Sequence, residues 1–197
     1  MAQDSSQPDF WESRYQERVT PWDAGTVPPA LRAFATQLRR GSRILIPGCG
    51  SAYEACYLSE QGMDVLAIDF SPAAVETARR NLARFPDIVK LADFFELEPG
   101  APFDLIYERA FLCALPPRMW DRYPARVASL LKPDGLLAGF FYFDQSVKGP
   151  PFGTHDAQLT ALMSPHLDRI ADSEVHDSIP IFAGKERWQV WQRRAPV

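Results

Sequence analysis

Cysteine and histidine are scarce in this chain. Its 197 residues hold three of each, and Cys49, Cys56 and Cys113 show no paired spacing. That leaves no framework for disulfides or for a structural metal, and a cytoplasmic protein with no metal is the simplest account. With so few histidines no Ser-His-Asp array is visible, which disfavours a hydrolase. Basic runs are also missing. The formal charge is −4 and no Lys/Arg stripe exists, so nucleic acid is not an expected partner. The longest apolar run, Leu136 to Phe143, is far too short to span a bilayer, so no membrane association is expected. The opening residues MAQDSSQPD carry neither the basic nor the apolar region of a signal peptide. No internal repeat or low-complexity tract interrupts the rest.

The remaining composition is that of a single globular domain with a full core. Residues 1–8 are polar and read as a disordered tail. Residues 9–197 read as one domain, with an N-terminal helical segment over 9–41 ahead of a core over 42–197. Asp9 and Glu12 have the spacing of a capping box, and Trp11, Tyr15 and Val19 share one helical face. Thr20 to Gly25 is a turn enclosing Trp22. A second helix is expected from about Pro28 to Arg40, with Leu31, Phe34 and Leu38 inward and Gly41 as its stop.

The richest stretch is 43–69. Ile44 to Ile46 meets the turn Gly48-Cys49-Gly50, an amphipathic segment follows, and Val65 to Ile68 ends on Asp69. This is strand, glycine loop, helix, strand, acid, the unit that seats a nucleoside-type ligand over a strand end. From Gly48 to Asp69 is 21 residues, close to the roughly 20 such units use. A dinucleotide loop would need glycine where Tyr53 stands, which argues against nicotinamide chemistry. Beyond Asp69, Ser71-Pro72 starts a helix with Val75, Ala78 and Leu82 inward. A short strand from Ile88 to Leu91 precedes Asp93-Phe94. Phe103 to Tyr107 is a strand running into Glu108-Arg109, where doubly wound sheets bind ligands. A helix opened by Pro116-Pro117 turns Trp120, Tyr123 and Val127 inward. Leu136 to Phe143 is apolar on both faces, as in a central strand. A proline-stiffened loop (Gly149-Pro150-Pro151-Phe152), a helix from about His155 to Met163 and two last strands near 170–175 and 189–193 complete the chain. The Lys185-Glu186-Arg187 tip reads as a solvated hairpin end. This alternation implies a mainly parallel α/β sheet with helices on both faces.

Several segments together resemble one family: F-W-E-S-R-Y-Q-E-R-V-T-P-W-D-A-G (10–25), I-P-G-C-G-S-A-Y-E (46–54), A-I-D-F-S (67–71), F-D-L-I-Y-E-R-A-F-L-C-A-L-P-P (103–117), L-L-K-P-D-G (130–135) and G-P-P-F (149–152). The sequence resembles the thiopurine S-methyltransferase superfamily, which also holds the plant halide/thiol methyltransferases. The resemblance implies a Rossmann-like class I methyltransferase fold, with a seven-stranded sheet whose last strand is antiparallel and an N-terminal lid. It implies S-adenosylmethionine (SAM) as cofactor and a small-molecule acceptor. Trp11, Tyr15 and Trp22 match aromatics that close over SAM, whose sulfonium such faces attract. Gly48, Cys49 and Gly50 match the loop around its methionine moiety. Asp69 matches the ribose-binding acid, Phe70 flanks the adenine, and Asp93 and Phe94 match its edge. Arg109 matches an arginine beside cofactor and substrate, kept in the animal enzymes and not in the plant ones. Arg109 is expected to attract or orient an anionic nucleophile whose pocket Tyr142 and Phe152 line, with Arg109 and Tyr142 as the catalytic pair. The acceptor is a thiol in the favoured reading. Halides or selenium and tellurium oxyanion products are the alternative, and a non-catalytic SAM-binding protein the third. The family's catalytic parts all lie in one chain, which favours a monomer.

Overall fold

A computed structural model describes residues 4–82, 84–146 and 148–195. It divides into two compact units, one up to Gly100 and one from Ala101 on.

The first unit opens with two short helices, α1 (Pro8–Gln16) and α2 (Pro29–Ala35). Pro8 occupies the first turn of α1, so the helix starts one residue before the expected cap, Asp9. Asp9 and Glu12 therefore form no capping box, and Glu12 is free to bond elsewhere. Helix α2 is shorter than expected. Thr36 caps its C-terminal end, and Gly41 sits farther on at φ +79°. Next come β1 (Arg43–Pro47), α3 (Tyr53–Glu60), β2 (Asp64–Asp69), α4 (Pro72–Asn81) and β3 (Val89–Leu91). The three strands are parallel, with β2 between β1 and β3. Ile44, Leu45, Ala67 and Ile68 are buried on β1 and β2, while Val75 and Ala78 of α4 and Leu82 just after it fill one face, as their spacing implies. Residues 1–3 of the expected tail lie outside the described residues. Ser5 is buried, and its carbonyl accepts from the Trp11 indole at 2.8 Å.

The second unit holds β4 (Phe103–Arg109), α5 (Tyr123–Leu130), β5 (Leu131–Tyr142), α6 (Asp156–Met163), β6 (Leu167–Glu174) and β7 (Glu186–Arg193). Strand β4 pairs parallel with β5. Strand β7 lies between β5 and β6 and runs antiparallel to both. The described residues thus hold seven strands in a mostly parallel arrangement whose last strand is antiparallel. Within β5 the residues from Leu131 to Gly135 form a bulge: the register passes from Phe103–Leu131 to Leu105–Leu136, with Asp134 at φ 59°. The Lys185–Arg187 segment is not the solvated tip its charges imply. Glu186 is a buried residue of β7, opposite Tyr142, and not part of a solvated end. Among the described residues no helix is long and apolar enough to cross a membrane.

Candidate functional site

In the first unit the glycine loop turns sharply after β1. Gly48 and Gly50 take φ of 58° and 51°, and Ala52, at φ 58°, leads into α3. The Cys49 amide donates to the Ile68 carbonyl at 2.9 Å, which ties the loop to the end of β2. There the Asp69 carboxylate accepts from Gly50 N at 3.2 Å and from Ser71 N at 3.0 Å. Burial pushes its pKa up to about 6 against the pull of those amides and that of Phe70, with Glu12 adding a little repulsion. Asp69 is 6% exposed, yet both oxygens keep acceptor capacity beyond these bonds.

The N-terminal aromatics gather over this loop. Tyr15 Oη lies so close to Gly50 that a Cβ on Gly50 would sit 2.7 Å from it. The Trp22 indole donates to Tyr15 Oη at 3.4 Å, and Trp11 meets Trp22 edge to face at 5.3 Å. Two acids outside the expected set fasten this arm. Glu12 Oε2 accepts from Ser71 Oγ at 2.6 Å and Ala73 N at 2.9 Å, and Asp23 accepts from Ser51 Oγ. Ser71 also caps α4 through Ala74 N at 3.1 Å. After β3, the Ala92 amide bonds the Asp69 carbonyl at 3.0 Å, so Asp93-Phe94 follows directly beside the acid. Phe94 is buried, Phe70 half-buried and Asp93 exposed, its carboxylate accepting from Phe95 N. Of the cofactor-side residues named from sequence, all but Arg109 belong to this unit.

In the second unit Arg109 ends β4 with its guanidinium 5.2 Å from the Phe140 ring centre. The buried Glu186 feels it: burial raises that carboxyl, while the Ser178 hydroxyl nearby and the Arg109 charge act against the rise. Glu108 is 1% exposed. Its Oε1 accepts from Phe111 N at 2.8 Å and Leu112 N at 3.1 Å, turning the chain after β4, where Ala110 sits at φ 56°. Tyr142 Oη donates to Asp144 Oδ2 at 2.8 Å, and Lys185 Nζ reaches the same oxygen at 2.5 Å. Burial first, then Asp144, raise the Tyr142 pKa, so its hydroxyl stays protonated. The Phe152 amide donates to the Cys113 carbonyl at 2.7 Å, which docks the proline loop on the segment after β4. Glu108, Cys113, Trp120, Tyr142, Phe152 and Thr154 are among the residues lining a small cavity. Tyr142 and Phe152 both line it. Arg109 is not one of its walls. Glu108 stands in the sequence only as an acid directly before Arg109 at a ligand-binding strand end, with no role of its own. Among the described residues no group of three or more His, Cys, Asp or Glu is placed to hold a metal ion.

Residues 6–194 match the family model described as "Thiopurine S-methyltransferase (TPMT)". A relative named "Probable thiol methyltransferase 2" from Arabidopsis thaliana is 30% identical, over 93% of this chain and 84% of its own. "Thiopurine S-methyltransferase" from Shewanella loihica is 29% identical, over 91% and 93%. Among solved structures, 1,6-didemethyltoxoflavin-N1-methyltransferase of Burkholderia thailandensis, with bound 1,6-didemethyltoxoflavin and S-adenosylhomocysteine, superposes with a TM-score of 0.76. It covers 97% of this chain and 88% of its own at 21% identity, a likeness of fold.

Proposed function

The chain belongs to the thiopurine S-methyltransferase family, and we propose that its first unit supplies the cofactor-binding residues and its second unit the acceptor-binding ones. It is a SAM-dependent methyltransferase acting on a small soft nucleophile, a thiol first. SAM supplies a methyl carbon already activated by a positive sulfur. The residues present fit that cofactor. Asp69 offers a carboxylate with spare acceptor capacity to a ribose diol, and Gly48 and Gly50 let backbone approach the amino-acid end. Trp11, Tyr15 and Trp22 offer aromatic faces to a cation, worth about 0.5–2 kcal/mol each when desolvated. Phe70 and Phe94 suit a flat base, with Asp93 at its edge.

The arm acts as a lid in this reading. Glu12 and Asp23 hold it at two points, on the start of α4 and on Ser51. A held lid excludes water, and positioning of the reactants can contribute about 7–11 kcal/mol. On the acceptor side Arg109 orients the nucleophile, while Tyr142 and Phe152 form an apolar wall. Tyr142 does not serve as a base, since its proton is held against Asp144. Residues for both cofactor and acceptor come from one chain, which supports a monomer. The three free cysteines suit a cytoplasmic protein.

One observation carries the cofactor half: a buried Asp69 held by the amide of the glycine loop, with Tyr15 over that loop. The test is calorimetric binding of SAM together with a mass-spectrometric methyl-transfer screen. The panel holds thiopurines, aryl thiols, alkyl thiols, hydrosulfide, iodide and selenite. Binding with turnover of thiols is expected. Binding without turnover of any compound would reduce the protein to a SAM-binding one.

A further inference from the structure

Glu108 carries one oxygen that the fold does not use. Oε1 takes both amides of the turn, whereas Oε2 is buried and accepts from no described residue. Leaving a carboxylate oxygen so costs about 1–3 kcal/mol or more, which a turn cap alone does not require. The side chain lines the cavity formed with Cys113, Tyr142, Phe152 and Thr154, and that cavity measures about 10 Å³, room for one water. None of the side chains named there is basic. Two cations stand nearby, and each faces an acid: Lys185, 5.9 Å from the Tyr142 ring, bonds Asp144, and Arg109 acts on Glu186. Glu186 of β7 repels Glu108, and the Cys113 thiol and the α5 Tyr123 hydroxyl are both pushed up by burial and then by Glu108.

We infer that Glu108 Oε2 is the proton acceptor for a methyl acceptor that enters as a neutral thiol, directly or through one water, and that the site discriminates against preformed anions. This rests on the thiol-methylating reading above. The acceptor's S–H bond breaks and its proton passes to Oε2. The pair left on sulfur forms the new S–CH3 bond as the methyl departs with its old bonding pair staying on the cofactor sulfur, now neutral. The carboxylate becomes a carboxylic acid and then releases its proton to water. Burial, opposed by the Leu112 and Phe111 amides and aided by Glu186, holds the Glu108 pKa at about 7, suited to such exchange at neutral pH. Alkyl thiols near pKa 8.5 are mostly protonated there and gain most from a base.

The test compares Glu108→Gln with the wild type, because glutamine keeps an oxygen for the Phe111 and Leu112 amides. Turnover of an alkyl thiol should fall on the order of 100-fold. An aryl thiol already ionised at the assay pH should lose less than about threefold, since it has no proton to transfer. Binding of the alkyl thiol to enzyme loaded with S-adenosylhomocysteine, measured by calorimetry in two buffers, should show proton movement in the wild type that the variant lacks. Equal losses for both thiols, or unchanged proton linkage, would overturn the role and leave Glu108 a turn cap. Wild-type turnover of iodide matching that of alkyl thiols would overturn the discrimination without needing the variant. Wild-type enzyme that methylates no thiol at all would instead sink the reading beneath it.

Discussion

Glu12 of α1 accepts hydrogen bonds from Ser71 Oγ at 2.6 Å and Ala73 N at 2.9 Å, at the start of α4. A carboxylate there also meets the positive end of the helix. Burial pushes the Glu12 carboxyl up, but the bonds from Ser71, Ala73 and Gln16 outweigh it and lower its pKa. Glu12→Ala should release the arm by about 1–2 kcal/mol, the worth of such bonds. The expected outcome is faster proteolysis within residues 8–25 and SAM affinity lower by about 5- to 30-fold. Thermal midpoints should move little, because the cores of β1 to β3 and β4 to β7 do not depend on these bonds.

Asp69 gives a pH dependence with a definite sign. Its folded pKa, about 6, lies above its ordinary 3.8. The folded state therefore binds more protons between those values, and Asp69 costs folding stability increasingly as pH rises through that window, levelling off above about 6. Ligand binding runs the other way. A ribose diol donates to a carboxylate, so SAM affinity should fall as pH drops through about 6. Titration calorimetry from mildly acidic to neutral pH checks this, and Asp69→Asn should bind weakly at every pH.

Arg109 and Glu186 are coupled through charge in the second unit. Arg109→Ala removes a cation that holds the Glu186 carboxyl down, so its pKa should rise further. Thermal stability should fall by about 1–3 kcal/mol, and adding Glu186→Gln should restore part of it. Thiol turnover should fall in Arg109→Ala while SAM affinity measured by calorimetry stays largely intact. Equal loss of both would remove Arg109 from the acceptor side.

The parts of the site legible in the sequence were those set by local rules. Gly48, Gly50 and Asp69 stand at fixed offsets in a strand–loop–helix–strand unit. The buried faces of α4 and α5 follow from their 3.6-residue spacing. The illegible parts depend on pairing between distant segments. Glu12 looked like a capping partner for Asp9 because sequence spacing does not reveal that Pro8 has already taken the first turn, nor that Ser71 lies within reach. Glu186 looked solvated because three charged residues in a row resemble a hairpin tip. Strand pairing with Tyr142 buries it, while its neighbour Arg187 bonds Asp172 on β6. Glu108 was hidden for a similar reason: only the turn at Phe111 and Leu112 shows that one of its oxygens is engaged and the other is not.

Gly50 joins the arm to the loop, and substitution there separates two effects. Its φ of +51° strains any residue with a side chain, by about 1–2 kcal/mol. A Cβ would also sit 2.7 Å from Tyr15 Oη, so the tyrosine must move. Gly25 is a control for the first effect alone, since it has φ +64° and nothing within 4 Å of its added Cβ. Gly25→Ala should therefore cost only the backbone strain and leave SAM affinity within about threefold of wild type. Gly50→Ala should lose more than about tenfold in affinity and expose the arm to protease. The double variant Gly50→Ala/Tyr15→Phe removes the clashing hydroxyl; the next ring atom, Cζ, stands 3.9 Å from the added Cβ, an ordinary contact. It should regain protease resistance while the loop strain remains. If the double variant is as protease-sensitive as Gly50→Ala, the Tyr15 contact does not seat the arm.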